Sequence, residues 1–301
     1  MLPALAFLAA VIGRAAYPLV VERRRQRARP LGPGGIIAGA ESIDLPSSRG
    51  TAVLLLHGGG DTPQALYGLA RHLHARGFAV RVPLLPSHGR DLSALKGASA
   101  EEWAAAVRRE FDDLRSSHEH VAVVGLSMGG ALALALAAER PEIEALVLLA
   151  PYVEMPPLVN RLARTSRLWG WLFPYFSTRG ARSIHDREAA KQALGHGILT
   201  PAALRAIAQV VNAADAALPK VTAPTLIIQS REDNRIPPEI AERGFARLGA
   251  QIKRFVWITG AGHVITVDHG YQRVFELTTQ WIERYQNPER RADRRPRIRT
   301  P

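Results

Sequence analysis

The chain has 301 residues, of which 47% are hydrophobic and 22% are charged, and it contains no cysteine. This composition is ordinary for a globular protein with a large core, and the lack of cysteine excludes disulfides and thiolate metal sites. Eight of its twelve net positive charges lie in residues 22–29 and 288–301, so the chain between them is not notably basic. We therefore expect no specific nucleic-acid binding and interpret both basic segments as solvated or membrane-facing.

An apolar segment begins the chain, with residues 2–21 reading LPALAFLAAVIGRAAYPLVV. About 20 apolar residues are enough for a helix to span a bilayer, although Arg14 and Pro18 weaken that interpretation. Because the arginines of residues 22–29 follow this segment, the positive-inside rule leaves the rest of the chain in the cytoplasm. We predict that residues 1–39 are an N-terminal membrane anchor and a basic linker. A soluble cytoplasmic protein with an amphipathic or simply disordered leader is the alternative.

Beyond residue 40, predicted strands alternate with predicted helices. Apolar runs that end in turn residues predict strands at 41–46, 51–56, 78–85, 120–126, 143–150, 224–230 and 252–259. Capping patterns predict helices that start at Thr62–Pro63 and at Ser99, and further helices follow Ser127 and lie near 237–248 and 269–286. This alternation predicts an α/β fold, a mainly parallel sheet with helices on both faces.

The alternation is interrupted once, at residues 151–217. We predict that residues 40–150 and 218–287 form the core and that residues 151–217 are a mainly helical cap inserted at the edge of the sheet. Residues 288–301 are predicted to be a basic, disordered tail.

The motif that carries chemistry lies between a strand and a helix, where Gly125, Ser127 and Gly129 form Gly-x-Ser-x-Gly. A turn this tight leaves no room for bulky side chains at the flanking positions, and it raises the serine hydroxyl above the sheet at a helix N-terminus. There the backbone N–H of Met128 can face a developing oxyanion. In this context we predict that Ser127 is a nucleophile.

A serine needs a base, and the base needs an orienting carboxylate, which in this type of fold follow in the order Ser, acid, His. Asp233 follows one predicted strand, with Glu232 as a competing carboxylate, and His263 follows the last predicted strand. Loops at the carboxyl ends of parallel strands meet at one edge of the sheet. We therefore predict a triad of Ser127, Asp233 and His263.

The remaining candidate residues have other predicted roles. The second oxyanion donor is expected from the glycines after the second strand, with Gly59 first and Gly60 next. This loop lacks the lysine of a phosphate-binding P-loop. We expect no metal ion, because no cluster of His, Asp and Glu has ligand spacing. Seven further histidines are interpreted as structural or solvated. His57 and His88 are expected to support their loops, and the other five are His72, His74, His118, His120 and His269.

Residues 40–287 resemble the α/β-hydrolase family. LLLHG at 54–58, P-x-H-G at 86–89, GLSMGG at 125–130 and HVITVD at 263–268 are similar to its bacterial carboxylesterase and monoacylglycerol lipase branch. The resemblance implies a cofactor-independent serine ester hydrolase that acts through an acyl-enzyme. It also supports Ser127, Asp233 and His263 as the triad and Gly59 and Met128 as oxyanion donors. One departure is Gly59 itself, because that branch often has a bulky residue there.

The predicted cap contains the aromatic stretch WGWLFPYF at residues 169–176. Trp169, Trp171 and Phe173 could line an acyl pocket or meet lipid, and they could equally form the core of the cap itself.

These patterns together predict an enzyme that hydrolyses carboxylic esters of short to medium acyl chains, with monoacylglycerols as natural candidates. Thioesterase, lactonase or peptidase activity would use the same triad, because the fold does not select the leaving group. A catalytically silent, membrane-tethered binding module is the alternative of a different class. The expected partners are therefore a small-molecule ester and a membrane surface.

Overall fold

The structure is a computed structural model that describes residues 16–24, 26–48, 50–177 and 183–286. The predicted disordered tail at 288–301 lies outside the described residues, as do the first fifteen residues of the chain, which include most of the apolar segment.

Within these residues, seven strands form one sheet in the order β1-β3-β2-β4-β5-β8-β9. They are β1 (Ile43–Leu45), β2 (Thr51–Leu56), β3 (Ala79–Val82), β4 (His120–Leu126), β5 (Leu146–Leu149), β8 (Thr225–Ser230) and β9 (Lys253–Ile258). Only the edge strand β1 runs antiparallel to its neighbour, and the other described pairings are parallel. Every side chain of β2 and β8 is buried, as expected for strands covered on both faces. The predicted α/β fold is confirmed.

Helices cover both faces of the sheet. The helices are α1 (Tyr67–Ala75), α2 (Ala100–Ser117), α3 (Met128–Glu139), α4 (Pro157–Arg164), α5 (Ser166–Trp169), α6 (Arg187–Gln192), α7 (Pro201–Ala217), α8 (Pro238–Arg247) and α9 (Tyr271–Tyr285). One apolar cluster joins the sheet to α2, α3, α7 and α8, and a second joins the other face to α1 and α9. The helix α3 is buried almost all round, which its alanine and leucine composition permits.

The start of α1 differs from the prediction. The side chain of Thr62 makes no capping hydrogen bond, and a single turn of 3-10 helix at Pro63–Leu66 precedes α1. Thr62 still stands at the N-cap of this 3-10 turn with Pro63 after it, as predicted, and its backbone N–H donates to Asp61 Oδ1 at 2.9 Å. At the start of α2, by contrast, Ser99 Oγ accepts from Glu102 N, as the predicted capping pattern requires.

The segment at 151–217 is mixed in character. Its helices α4, α5 and α6 are short, and β6 (Phe176–Ser177) pairs with β7 (Ile198–Leu199) as a small antiparallel ladder. The last helix, α7, packs on α3, and ten of its seventeen side chains are buried. This helix therefore belongs to the packing of the core, while the shorter elements before it lie over the edge of the sheet.

Part of the N-terminal segment is docked on the rest of the protein. Residues 16–24 and 26–28 are helical, and we call them the leader helix. Val21 packs against Tyr175 and Ile198 of the cap, and Glu22 accepts hydrogen bonds from Tyr175 and from Lys96 Nζ. Arg29, just beyond, donates to Ala193 O at 2.8 Å. The alternative prediction of a disordered leader is therefore wrong for this part, because its side chains are held by the cap. Among the helices of the described residues, none is long and apolar enough to cross a membrane.

Candidate active site

The turn that carries Ser127 is determined by backbone crowding. A Cβ atom on Gly125 would lie 2.3 Å from Gly129 O, and one on Gly129 would lie 2.1 Å from Leu56 O. No side chain can be accommodated at such distances, so both positions require glycine. Ser127 has a φ of 54° and a ψ of −117°, a strained conformation for a residue other than glycine. The crowded neighbours hold this strain, and Ser127 is presented between β4 and α3.

A chain of hydrogen bonds links the three residues of the predicted triad. His263 Nε2 lies 2.8 Å from Ser127 Oγ, and His263 Nδ1 lies 2.8 Å from Asp233 Oδ2. Ser127 follows β4, Asp233 follows β8 and His263 follows β9. One edge of the sheet therefore brings Ser127 and His263 together, although they are 136 positions apart in the sequence. With Nδ1–H donated to the carboxylate, Nε2 is free to accept the hydroxyl proton.

Several donors hold Asp233 as a carboxylate. Its Oδ1 accepts from the backbone of Arg235 and Ile236, and its Oδ2 accepts from Gln229 Nε2 at 2.8 Å. Burial raises the pKa of Asp233, but the hydrogen bond and charge of His263, with the backbone N–H groups, lower it below its ordinary value. The competing carboxylate, Glu232, is exposed and accepts instead from Gly260 N. The hydrogen bond from His263 therefore goes to Asp233, the acid predicted for the triad, and not to Glu232.

The loop that carries His263 has its own support, which sequence reasoning missed. Asp268 accepts hydrogen bonds from the backbone N–H of Gly262 on one side and of His185 and Asp186 in the cap on the other. Burial raises the pKa of Asp268, whereas these backbone N–H groups lower it below its usual range. The only sequence signal was its place at the end of HVITVD.

A cavity of about 320 Å³ opens above Ser127. This volume lies near the lower end of the range for small-molecule sites, which is about 300–1,000 Å³. Its wall is mainly apolar, with Asp61, Ser183 and Arg235 as polar exceptions. The apolar lining comprises Leu126, Met128, Tyr152, Ile184, Ile198, Leu199, Ile207, Ile236 and Val264. Residues from the core and from the cap thus enclose the same space.

The predicted oxyanion residues, Gly59 and Met128, both line this cavity together with Ser127. A Cβ on Gly59 would lie 3.1 Å from Ile207 Cδ1 and 3.1 Å from Met128 Sδ. A larger residue at position 59 would therefore require the side chains of Ile207 and Met128 to shift. Gly60 also lines the cavity, with a φ of 74° that favours glycine.

Two buried histidines support the glycine loop, as predicted for them. His57 donates from Nδ1 to Gly58 O and accepts at Nε2 from Leu85 N. Its ring packs edge-on against His88, which in turn packs on Trp103. Burial lowers the pKa of His57 to about 3 and that of His88 to about 4. Both rings are therefore neutral, and a neutral His57 is the form that can accept from Leu85.

The structure does not bring the predicted cap aromatics to the cavity. Trp169 packs against the core cluster and Phe176, with its indole N–H donated to Leu162 O. Trp171 and Phe173 are 68% and 56% exposed. None of the three lines the cavity, because the turn after α5 runs along the outer surface of the cap. The apolar lining from the cap comes instead from Ile184, Ile198 and Leu199.

Across the described ranges, no group of three or more His, Asp or Glu side chains is arranged to hold a metal ion. Of the other histidines, His120 lies 2.6 Å from Glu144 and His74 lies near Phe78 O, both away from the cavity.

A mainly parallel sheet in this order, with a serine on the turn after β4 and a histidine after the last strand, defines an α/β-hydrolase. Residues 47–270 match the model of the family described as serine aminopeptidase, S33, and the chain belongs to that family.

Two curated relatives are esterases or lipases by name. The chain is 26% identical to the thermostable monoacylglycerol lipase of Bacillus sp. (strain H-257), covering 83% of this chain and 97% of the relative. It is 27% identical to a carboxylesterase of Bacillus subtilis (strain 168), covering 77% of this chain and 92% of the relative. A solved structure of the metagenome-derived lipolytic enzymes LipS and LipT matches with a TM-score of 0.76 at 27% identity, covering 82% and 99% of the two chains.

Proposed function

We propose that the protein is a serine hydrolase that cleaves carboxylic esters of short to medium acyl chains, with monoacylglycerols as the natural candidates. The observation that carries the proposal is the pair of 2.8 Å contacts from Ser127 through His263 to Asp233, at the base of a largely apolar cavity. The relatives named as a monoacylglycerol lipase and a carboxylesterase support the ester class.

The proposed mechanism uses the residues in two half-reactions. Ser127 Oγ attacks the ester carbonyl while His263 Nε2 takes its proton, and Asp233 stabilises the imidazolium that forms. The backbone N–H groups of Gly59 and Met128 are the proposed donors to the oxyanion, each contributing roughly 3–4 kcal/mol to transition-state stabilisation. His263 then returns the proton to the departing alcohol, and water repeats the sequence on the acyl-enzyme.

The direct test is Ser127→Ala. We expect this variant to lose hydrolysis of p-nitrophenyl butyrate and labelling by a fluorophosphonate probe, with an unchanged thermal unfolding midpoint. Ser116→Ala, at an exposed serine on α2, is the matched control and should retain both activities. Undiminished turnover in Ser127→Ala would contradict the proposal. Failure of the folded wild-type protein to label would instead favour the silent binding module.

The leaving group needs a separate experiment, because the same triad serves thioesters, lactones and peptides. The family description names an aminopeptidase, so an alanine p-nitroanilide belongs in the substrate panel beside an acyl-CoA, a lactone and a monoacylglycerol. We expect the highest kcat/KM on the carboxylic esters. A higher value on the anilide would make the protein a peptidase.

We also propose that the protein works at the cytoplasmic face of a membrane. Residues 2–21 are mostly apolar, arginines follow them, and Leu168, Trp171 and Phe173 on the cap are exposed. Full-length protein should sediment with vesicles of anionic phospholipid and stay bound in high salt, whereas a variant without residues 1–15 should not resist salt. Full-length protein that remains in the supernatant would contradict this proposal.

A further inference from the structure

One wall of the cavity carries a carboxyl group that the proposed mechanism does not use. Asp61 follows the three glycines at 58–60, and its backbone N–H donates to Gly58 O at 3.2 Å, which closes a tight turn. This turn directs Asp61 to the lining of the cavity above Ser127. Its Oδ1 accepts from Thr62 N at 2.9 Å. Within the described residues no hydrogen bond engages Oδ2, so this oxygen is left for a ligand.

The surroundings of Asp61 are unusual for a carboxyl group. Burial raises its pKa to about 6, while the charges of His263 and Arg29 act in the opposite direction. Arg29 donates to Ala193 O, in the cap wall of the same cavity. A half-buried carboxylate with incomplete hydrogen bonding has lost part of its hydration without full replacement, which is unfavourable. A ligand that donates hydrogen bonds to it would offset this cost.

The rest of the lining restricts which part of a substrate can lie against Asp61. Most of the wall is apolar and suits the hydrocarbon of an acyl chain. Placing that hydrocarbon against Asp61 would leave the carboxylate without donors. The polar part of the ester is then the part that approaches it, and in an ester of a polyol such as glycerol this is the alcohol.

We infer that Asp61 is a specificity-determining residue that accepts hydrogen bonds from hydroxyl groups on the alcohol part of the ester, as in the glyceryl group of a monoacylglycerol. The inference rests on the proposed ester hydrolase function and names the residue that recognises the alcohol part of its substrate. Methyl esters of the same acid offer no such donor. The enzyme therefore discriminates among alcohols through Asp61 and among acids through the apolar wall.

The test compares two substrates that share an acyl group, 1-monobutyrin and methyl butyrate, in the wild type and in Asp61→Asn and Asp61→Ser. Hydrogen bonds to charged groups are the stronger ones, so we expect kcat/KM on monobutyrin to fall about ten- to a hundredfold in both variants. On methyl butyrate the change should stay within about twofold. Glu188→Gln, which removes an exposed carboxylate from α6, is the matched control and should leave both values unchanged.

Different outcomes overturn different claims. Equal losses on both esters in Asp61→Asn, while Ser127→Ala is inactive on both, would assign Asp61 a structural role and overturn this inference alone. A wild type that does not prefer monobutyrin over methyl butyrate would do the same without any variant. A loss confined to alanine p-nitroanilide would show that the carboxylate recognises an amine. Undiminished turnover of both esters by Ser127→Ala would remove the proposed function and this inference with it.

Discussion

The turn around Ser127 and the cap turn around Trp171 were both predicted to contribute to the site, but only the first lines the cavity, and different forces determine the two turns. At Ser127 the nearest neighbours are backbone atoms, and a single Cβ on Gly129 would come within 2.1 Å of Leu56 O. At Trp171 the side chain is 68% exposed and the chain follows the surface. A sequence motif predicts local structure well where crowded, buried backbone atoms allow only one conformation. Aromatic composition predicts the position of a side chain poorly where that side chain can lie on several surfaces of the protein.

The comparison is tested most severely by Gly129→Ala. We expect no folded, active protein, because the added methyl group collides with backbone that cannot move without displacing β2. Circular dichroism and ester hydrolysis measure the effect. Gly97→Ala is the control, since no atom lies within 4 Å of a Cβ at that position, and it should fold and retain activity. A folded and active Gly129→Ala would mean that the turn is not held by crowding.

The second prediction concerns the two adjacent acids. Asp233→Asn should lower kcat by about 10³–10⁴-fold, because an amide cannot hold the imidazole in the required tautomer or stabilise its cation. The variant should still fold, since Asn has nearly the same shape. Glu232→Gln should remain within about twofold of the wild type, because Glu232 lies outside the chain of hydrogen bonds to His263. The reverse ranking would assign the acid to Glu232.

A smaller effect is expected when acid lowers the stability of the folded protein through His57 and His88. Their pKa values in the folded protein, about 3 and about 4, lie below the ordinary 6.5, so the unfolded chain binds protons first as the pH falls. Their stabilisation is therefore complete above about pH 6.5 and is lost below it, by roughly 1.4 kcal/mol per pH unit for each ring. Together the two rings should lower the free energy of unfolding by about 3 kcal/mol between pH 8 and pH 5.5.

Urea unfolding of His57→Gln against the wild type isolates one ring, because the carboxylates contribute equally to both curves. The free energy of unfolding of the variant should fall less steeply with acid. His269→Gln, at an exposed histidine, is the control. Its free energy of unfolding at pH 8 should equal that of the wild type. If the free energy of unfolding falls equally steeply with acid in His57→Gln and in the wild type, the imidazole of His57 is not held neutral in the folded protein.

The smallest predicted effect comes from the leader helix. Deleting residues 1–29 removes Val21 from its apolar contacts and Glu22 from Lys96 and Tyr175, so the cap should loosen. Each exposed ion pair is worth about 0–1 kcal/mol, and the whole loss should be about 1–3 kcal/mol, a fall of several degrees in Tm. Hydrogen exchange should increase at residues 193–199, while short water-soluble esters are still hydrolysed. Deleting residues 1–15 keeps these contacts and serves as the control. Equal hydrogen exchange at residues 193–199 in the two deletion variants would show that the leader helix does not stabilise the cap.

Much of the site could be predicted from the sequence, for a local reason. Gly125, Ser127 and Gly129 are contiguous, and strand ends place Asp233 and His263 at a common edge whatever the details of packing. Other features depend on contacts between distant segments, which no local pattern encodes. Asp268 holds the His263 loop against residues 185–186, and Ile198 lines the cavity while it packs beneath the leader helix.

By itself the sequence determined the α/β alternation, the strained serine turn and the order of nucleophile, acid and base, because strand periodicity and backbone crowding act over a few residues. The sequence favoured Asp233 over Glu232, and the tertiary structure added the hydrogen bond between Asp233 and His263 that separates the two acids. Only the tertiary structure decided that Ile207 and Met128 fill the space beside Gly59, that Trp171 and Phe173 are exposed on the outer surface of the cap, and that Asp61 lines the cavity. These outcomes depend on which distant side chains share a volume, and that is settled when the layers pack.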